Sequence, residues 1–213
     1  MIHFPNPRKA PNDIVAIGGD LDWRNLIGAY RKGIFPWPIE GLPLTWFSPW
    51  KRAILEFDRL HIPRSLEKAR RRNTFRFTVD RDFPAVIRAC AKAPRPGQDG
   101  TWIFPDVIDA YCDFHQRGWA HSVEVWNGED LVGGMYGVSV DGTFAGESMF
   151  HRLPNASKLA LLFLVDRLAS KGLDWIDIQV MTPHMQSLGA RLISRAEFLD
   201  RLSTAQARNL ELF

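Results

Sequence analysis

The chain has 213 residues, a length that suits one medium domain or a domain with a smaller appendage. Hydrophobic residues make up 46% and charged residues 24%, ordinary for a globular core that needs no disulfide or metal, and no stretch approaches the roughly 20 apolar residues that span a bilayer. A net charge of +3 permits a polyanionic partner without demanding one, and the two cysteines, Cys90 and Cys112, have no metal-ligand spacing and make no disulfide framework.

The first sixty residues are rich in Pro, Gly and Trp. Their clear helix, about Trp23 to Lys32, is ended by Gly33. Gly33 to Pro49 is too apolar for a linker and reads as an ordered loop wall with extended stretches. From Leu60 onward the pattern is regular. Pro63 suits the first turn of a short basic helix that continues from Ser65 to Arg72, and Phe75 to Val79 alternates like a strand. Helices are expected over about Asp82 to Ala93 and Pro105 to Arg117, each carrying one of the cysteines, with Gly118 stopping the second. His121 to Trp126, Leu131 to Val140 and Thr143 to Phe150 form a predicted antiparallel meander, joined by the turn dipeptides Asn127-Gly128 and Asp141-Gly142. Ser157 to Lys171 is a helix closed by Gly172, and Trp175 to Val180 is a further strand. Ser194 and Glu197 make a capping box at the start of the last helix.

This order implies an α+β fold. A meander, then a helix, then another strand is the topology of the N-acetyltransferase (GNAT-like) mixed sheet. The expected division is a small N-terminal domain over residues 1–59 and an acetyltransferase-like catalytic domain over 60–213. The start of the chain lacks a basic region followed by an apolar one, so a cytoplasmic location is expected.

Five motifs occur in sequence: Gly18-Gly19-Asp20-Leu21, Gly33-Ile34-Phe35-Pro36-Trp37, Gly133-Gly134-Met135-Tyr136-Gly137, Gly146-Glu147-Ser148-Met149-Phe150 and Asp177-Ile178-Gln179. In this order and spacing the chain resembles the bacterial leucyl/phenylalanyl-tRNA–protein transferases over nearly its whole length. It departs from that family's usual pattern by ending early and by an insertion-like loop, Ala93 to Gly97. The resemblance implies transfer of Leu, Phe or Met from aminoacyl-tRNA to proteins beginning with Arg or Lys, marking them for N-end-rule degradation. An aminoacyl ester is already activated, so no cofactor and no metal is expected. No Walker loop, GxSxG elbow or His/Cys ligand cluster is present in the sequence.

Asp177 and Gln179 alternate on one predicted strand and share a face. The resemblance implies that Gln179 acts at the reacting amine, supported by Asp177. As a neutral amide it is a poor base, and it reads as an orienting acceptor. Glu147, on a strand that Gly146 marks for a bulge, is the candidate partner of the acceptor's cationic first residue. Met135, Phe144, Leu161, Leu164 and Ile176 are the candidates for the pocket of the transferred side chain. Trp37 and Trp102 match positions beside the 3′ adenosine, where indoles would stack on a base. Arg64, Lys68, Arg70, Arg71 and Arg72 form a basic helix, with only Glu67 nearby, that the resemblance turns toward tRNA phosphates.

Two other readings remain at this level. An acetyl-CoA enzyme of the same fold needs a Gly-rich loop before the long helix, and His151 to Ala156 contains no Gly. A non-catalytic RNA-binding module explains the basic helix and the eight Trp, but has no use for Glu147 or Gln179.

Overall fold

The structure, a computed structural model, describes residues 1–72, 74–94 and 101–213. Arg95 to Gly97 of the expected loop therefore lie outside the described residues.

The N-terminal segment forms a three-stranded antiparallel sheet in the order β1-β3-β2, from β1 (Ile14–Ile17), β2 (Phe35–Trp37) and β3 (Thr45–Phe47). Helix α1 (Trp23–Tyr30) lies between β1 and β2. The Asp22 carboxylate accepts from the Arg24 N–H at its start, which satisfies an orphan donor. Gly33 follows at φ +70, a left-handed position that stops the helix cheaply only for glycine. Phe35 and Trp37 then leave the turn as a short strand within the predicted loop wall.

The second sheet has seven strands in the order β10-β4-β9-β8-β7-β6-β5. These are β4 (Lys51–Glu56), β5 (Arg76–Val79), β6 (Ala120–Asn127), β7 (Asp130–Val140), β8 (Thr143–His151), β9 (Trp175–Gln179) and β10 (Arg191–Ser194). All pairs are antiparallel except β8 with β9, and that parallel pair is joined through the long helix α5 (Ala156–Ser170). A parallel neighbour needs such a crossover because a tight turn cannot reverse the chain twice. The remaining helices are α2 (Arg64–Arg72), α3 (Phe83–Lys92), α4 (Pro105–Gln116), α6 (Pro183–Ser187) and α7 (Arg195–Ala207). Ser194 caps α7 as the capping box requires, accepting from the Glu197 N–H at 3.1 Å.

Alternation along β7 sorts the two faces of this sheet. Met135 points into the apolar cluster built on α5, and its neighbour Tyr136 points into the cluster built on α1, α3 and α4. A third cluster, Ile54, Trp175 and Ile193 beneath Phe198, Leu199 and Leu202, seats α7.

The predicted meander is present with one correction. Asp141 and Gly142 both take positive φ in their turn, but Asn127 pairs with Asp130, so the first loop is Gly128 and Glu129. The predicted strand to Val180 also stops one residue early, because Gln179 has left the extended region at φ +55. Strands β1, β4 and β10 and helix α6 are the elements the sequence did not announce. Each is only four to six residues long, too short to show a period.

Gly33 also permits a close approach of α7, since a Cβ there would lie 2.7 Å from Phe198 and 2.8 Å from Leu199. Gly33→Ala should therefore combine a strained φ with overpacking and lower the unfolding free energy by about 1–3 kcal/mol, read from urea midpoints at unchanged slope.

Candidate active site

Strands β8 and β9 pair at Ala145 and Asp177. Each carries an irregularity beside that contact. On β8, Tyr136 faces Ser148 while Gly137 faces Gly146, which leaves Glu147 as the extra residue of a bulge. On β9, Ala53 faces Gln179 while Ile54 faces Asp177, which leaves Ile178 as the extra residue. The bulge expected near Gly146 thus falls on Glu147 itself, and it re-aims the carboxylate.

Gln179 is held in an unusual backbone state. Its φ is +55, and the Val180 N–H reaches across it to the Ile178 carbonyl at 2.6 Å, a γ-turn. Such turns are rare and strained, and they persist only where neighbours hold them. The holder here is Asp177, whose Oδ1 accepts from the Gln179 backbone N–H at 2.9 Å. The side-chain Nε2 of Gln179 then donates to Glu147 Oε1 at 2.9 Å. With Nε2 committed to Glu147, the amide oxygen is left free to accept a hydrogen bond.

Two tyrosines extend the network, and neither was singled out from sequence. The Tyr30 hydroxyl of α1 donates to the same Glu147 oxygen at 2.8 Å and stands 2.6 Å from the Tyr111 hydroxyl of α4. Burial raises both phenols well above their usual range, with the Glu147 charge adding to the effect. Burial likewise raises the Glu147 carboxyl to about 8, and nearby Asp177 pushes it the same way. The Tyr30 and Gln179 hydrogen bonds and the Arg52 charge pull it down without overcoming desolvation.

Arg52 on β4 is the other group missed from sequence. Its Nε and Nη2 form a two-pronged ion pair with Asp177 at 2.8 and 2.6 Å, and the two side chains are 1% and 8% exposed. Asp177 therefore reaches Gln179 as an anion already neutralised. A residue in the short unannounced strand β4 carried no periodic signal, and its burial follows from the fold alone.

The five apolar candidates, Met135, Phe144, Leu161, Leu164 and Ile176, are all buried in one cluster between α5 and the sheet. They lie on the face opposite Asp177, since Ile176 and Asp177 are consecutive on β9. At Gly146 a Cβ would lie 3.7 Å from Met135 Cε of the cluster and 3.8 Å from the Asp177 carbonyl. Trp37 and Trp102 come together from distant segments, their rings 16° from parallel with centroids 6.2 Å apart.

The basic helix α2 presents an open groove of about 540 Å³ lined by Ile62, Arg64, Glu67, Lys68, Arg71 and Arg72. Arg71 pairs with Glu67 at 2.9 Å. Arg70 departs from the expectation that Glu67 is the only nearby acid, because it faces α5 and pairs with Asp166 there. Helical geometry turns residues 64, 68, 71 and 72 to one side and 70 to another.

The ionisation of Glu147 has a consequence for stability. Between the ordinary value of 4.5 and about 8, the folded protein keeps a proton that the unfolded chain has released. Stability from this group is complete at low pH and is lost as pH rises through the folded value. Urea unfolding at several pH values should show wild type losing stability across that window, and Glu147→Gln should flatten the slope.

Comparison with known proteins brings a consistent result. Residues 54–203 match the family model described as leucyl/phenylalanyl-tRNA protein transferase, and residues 19–49 match the model of its N-terminal domain. The chain is 51% identical over 208 residues to the leucyl/phenylalanyl-tRNA–protein transferase of Anaeromyxobacter sp. (strain Fw109-5), covering 97% of this chain and 88% of that one. It is 52% identical over 203 residues to the protein of that name from Pseudomonas fluorescens (strain Pf0-1), covering 94% and 89%. Among solved structures, L-PGS from Bacillus licheniformis overlaps 70% of this chain and 48% of its own at 16% identity, with a TM-score of 0.42.

Proposed function

The chain belongs to the leucyl/phenylalanyl-tRNA–protein transferase family, and we propose that it moves Leu or Phe, and also Met, from aminoacyl-tRNA onto proteins whose first residue is Arg or Lys. The single observation that carries the site assignment is the meeting of Gln179 and Glu147 across two adjacent strand irregularities. In this reading the acceptor α-amine attacks the ester carbonyl, the C–N bond forms, and the C–O bond to the ribose breaks. The amine's proton finishes on the departing ribose oxygen.

Gln179 Oε1 orients the amine, and Asp177 fixes the turn that presents it. Glu147 in its ionised form pairs with the acceptor's cationic first residue, whose charge favours loss of the carboxyl proton, and its raised pKa suits it to a second task. An N-terminal α-amine titrates at about 7.7–8.0, so proton exchange with a carboxyl near 8 is close to thermoneutral. Met135, Phe144, Leu161, Leu164 and Ile176 form the wall that receives the aminoacyl side chain. Trp37 and Trp102 offer near-parallel indoles to the terminal adenine. Arg64, Lys68, Arg71 and Arg72 line the groove for tRNA phosphates, and Arg70, turned toward α5 and paired with Asp166, adds its charge from the neighbouring side of α2.

The same proposal covers the setting of the site. The seven-stranded sheet, with its meander, crossover helix and parallel β8–β9 pair, is taken as an acetyltransferase-like (GNAT-like) catalytic unit over 60–213. The N-terminal unit, 1–59, lends it β4. The product, a protein newly begun with Leu or Phe, is marked for N-end-rule degradation in the cytoplasm. No helix among the described residues is long and apolar enough to cross a membrane.

Purified protein should transfer Leu from charged tRNA to an Arg-initiated peptide without ATP, CoA or added metal, seen as a mass gain of one leucine residue. Gln179→Ala should lower kcat with little change in KM for charged tRNA. No transfer from charged tRNA, or transfer that requires acetyl-CoA, overturns the reading.

The groove has its own test. Arg71→Ala and Arg72→Ala should weaken Leu-tRNA and Phe-tRNA binding by similar factors, and each should flatten log K against log salt by roughly 0.7–0.9. Arg70→Ala should change that slope less than either. Unaltered slopes in all three variants would remove α2 from the interface.

A further inference from the structure

We propose that Arg52 is a positioning residue for the transfer reaction, acting through Asp177 to hold Gln179 in the turn that aims its amide at Glu147. The proposal rests on the transferase reading above and extends it to a residue outside the assigned set.

The guanidinium is fixed on every side. Nε and Nη2 grip the two Asp177 oxygens, Nη1 donates to the Gly33 carbonyl at 3.2 Å, and the rings of Phe35 and Phe198 cover its faces at 4.5 and 4.3 Å. Asp177 Oδ1 is shared between Arg52 Nε and the Gln179 N–H, so the direction of the fork sets the position of that oxygen. Gln179 at φ +55 depends on this hydrogen bond, because a non-glycine residue does not rest in a γ-turn unaided.

Strand pairing does not account for the ion pair. Strands β4 and β9 are already neighbours through their backbones from Ala53–Gln179 to Glu56–Trp175. What Arg52 adds to that ladder is the orientation of one carboxylate at the point where the strand turns. The charged and titratable groups around Glu147 are Tyr30 from α1, Tyr111 from α4, Asp177 from β9 and Arg52 from β4, and Arg52 is the one cation among these.

The test uses the full chain with Arg52→Lys, which keeps the charge but not the fork, and the double variant Arg52→Met with Asp177→Leu, which removes both charges. Transfer kinetics, melting temperature and the Gln179 side-chain amide resonance are measured for each. Arg52→Lys should lower kcat by about 10- to 100-fold with KM for charged tRNA within about 2-fold, and should shift the Gln179 resonance. The double variant should regain the wild-type melting temperature without regaining kcat. An Arg52→Lys enzyme with kcat within about 3-fold of wild type, a loss confined to KM, or a double variant that recovers kcat with its stability would each overturn the proposal. Should wild type transfer nothing, the functional reading fails, and the Gln179 resonance still decides the positioning claim: shifted in Arg52→Lys supports it, unshifted refutes it.

Discussion

Arg52 and Asp177 meet where neither can be solvated, and much of the molecule's local geometry follows from that. A buried guanidinium and carboxylate are tolerable only when each is matched by good geometry and further hydrogen bonds, and removing one partner of such a pair typically costs about 3–5 kcal/mol. The matching here draws on three parts of the chain. The Gly33 carbonyl comes from the turn after α1, Phe35 from β2 and Phe198 from α7. The turn after α1 and strand β2 are therefore held against the large sheet partly by their contacts with the Arg52 guanidinium. A second buried arginine, Arg195, does similar service, donating to the carbonyls of Pro7, Ala10 and Asn12.

From this anchor the chemistry is laid out by departures from regular structure. A regular β8 would turn Glu147 by strict alternation, and a regular β9 would carry Gln179 onward in extended form. The bulge at Glu147 and the γ-turn at Gln179 bring an amide and a carboxyl within hydrogen-bonding distance just past the Ala145–Asp177 pairing of the two strands. Burial then keeps the carboxyl protonated into the neutral range. Gly146 lies between the polar network and the apolar cluster on the opposite face, with Met135 Cε and the Asp177 carbonyl both within 4 Å of where its Cβ would be.

Much of this fold was readable in the chain. Caps and stops at Asp82, Ser194, Gly33 and Gly172 mark helix ends by local hydrogen bonding and left-handed φ, which need no distant partner. The meander was equally plain, since three successive strand-like runs and the Asp141-Gly142 turn between the last two are local facts. Gln179, Asp177 and Glu147 were singled out through motif order, and the fold brings them into one hydrogen-bonded network. Tyr30, Tyr111 and Arg52 were not, because each looks like an ordinary member of its own segment.

The sequence by itself determined the α+β class, most helix boundaries, the antiparallel meander and the family, because these rest on periodicity, capping and motif spacing carried within short windows. Tertiary structure alone decided which polar groups meet. The Arg52–Asp177 pair spans 125 positions, Tyr30 reaches Glu147 across 117, and Arg70 finds Asp166 across 96. No local pattern encodes such partners, since hydrogen bonds and ion pairs depend on separations of about 3 Å that exist only once the sheet has assembled and excluded water.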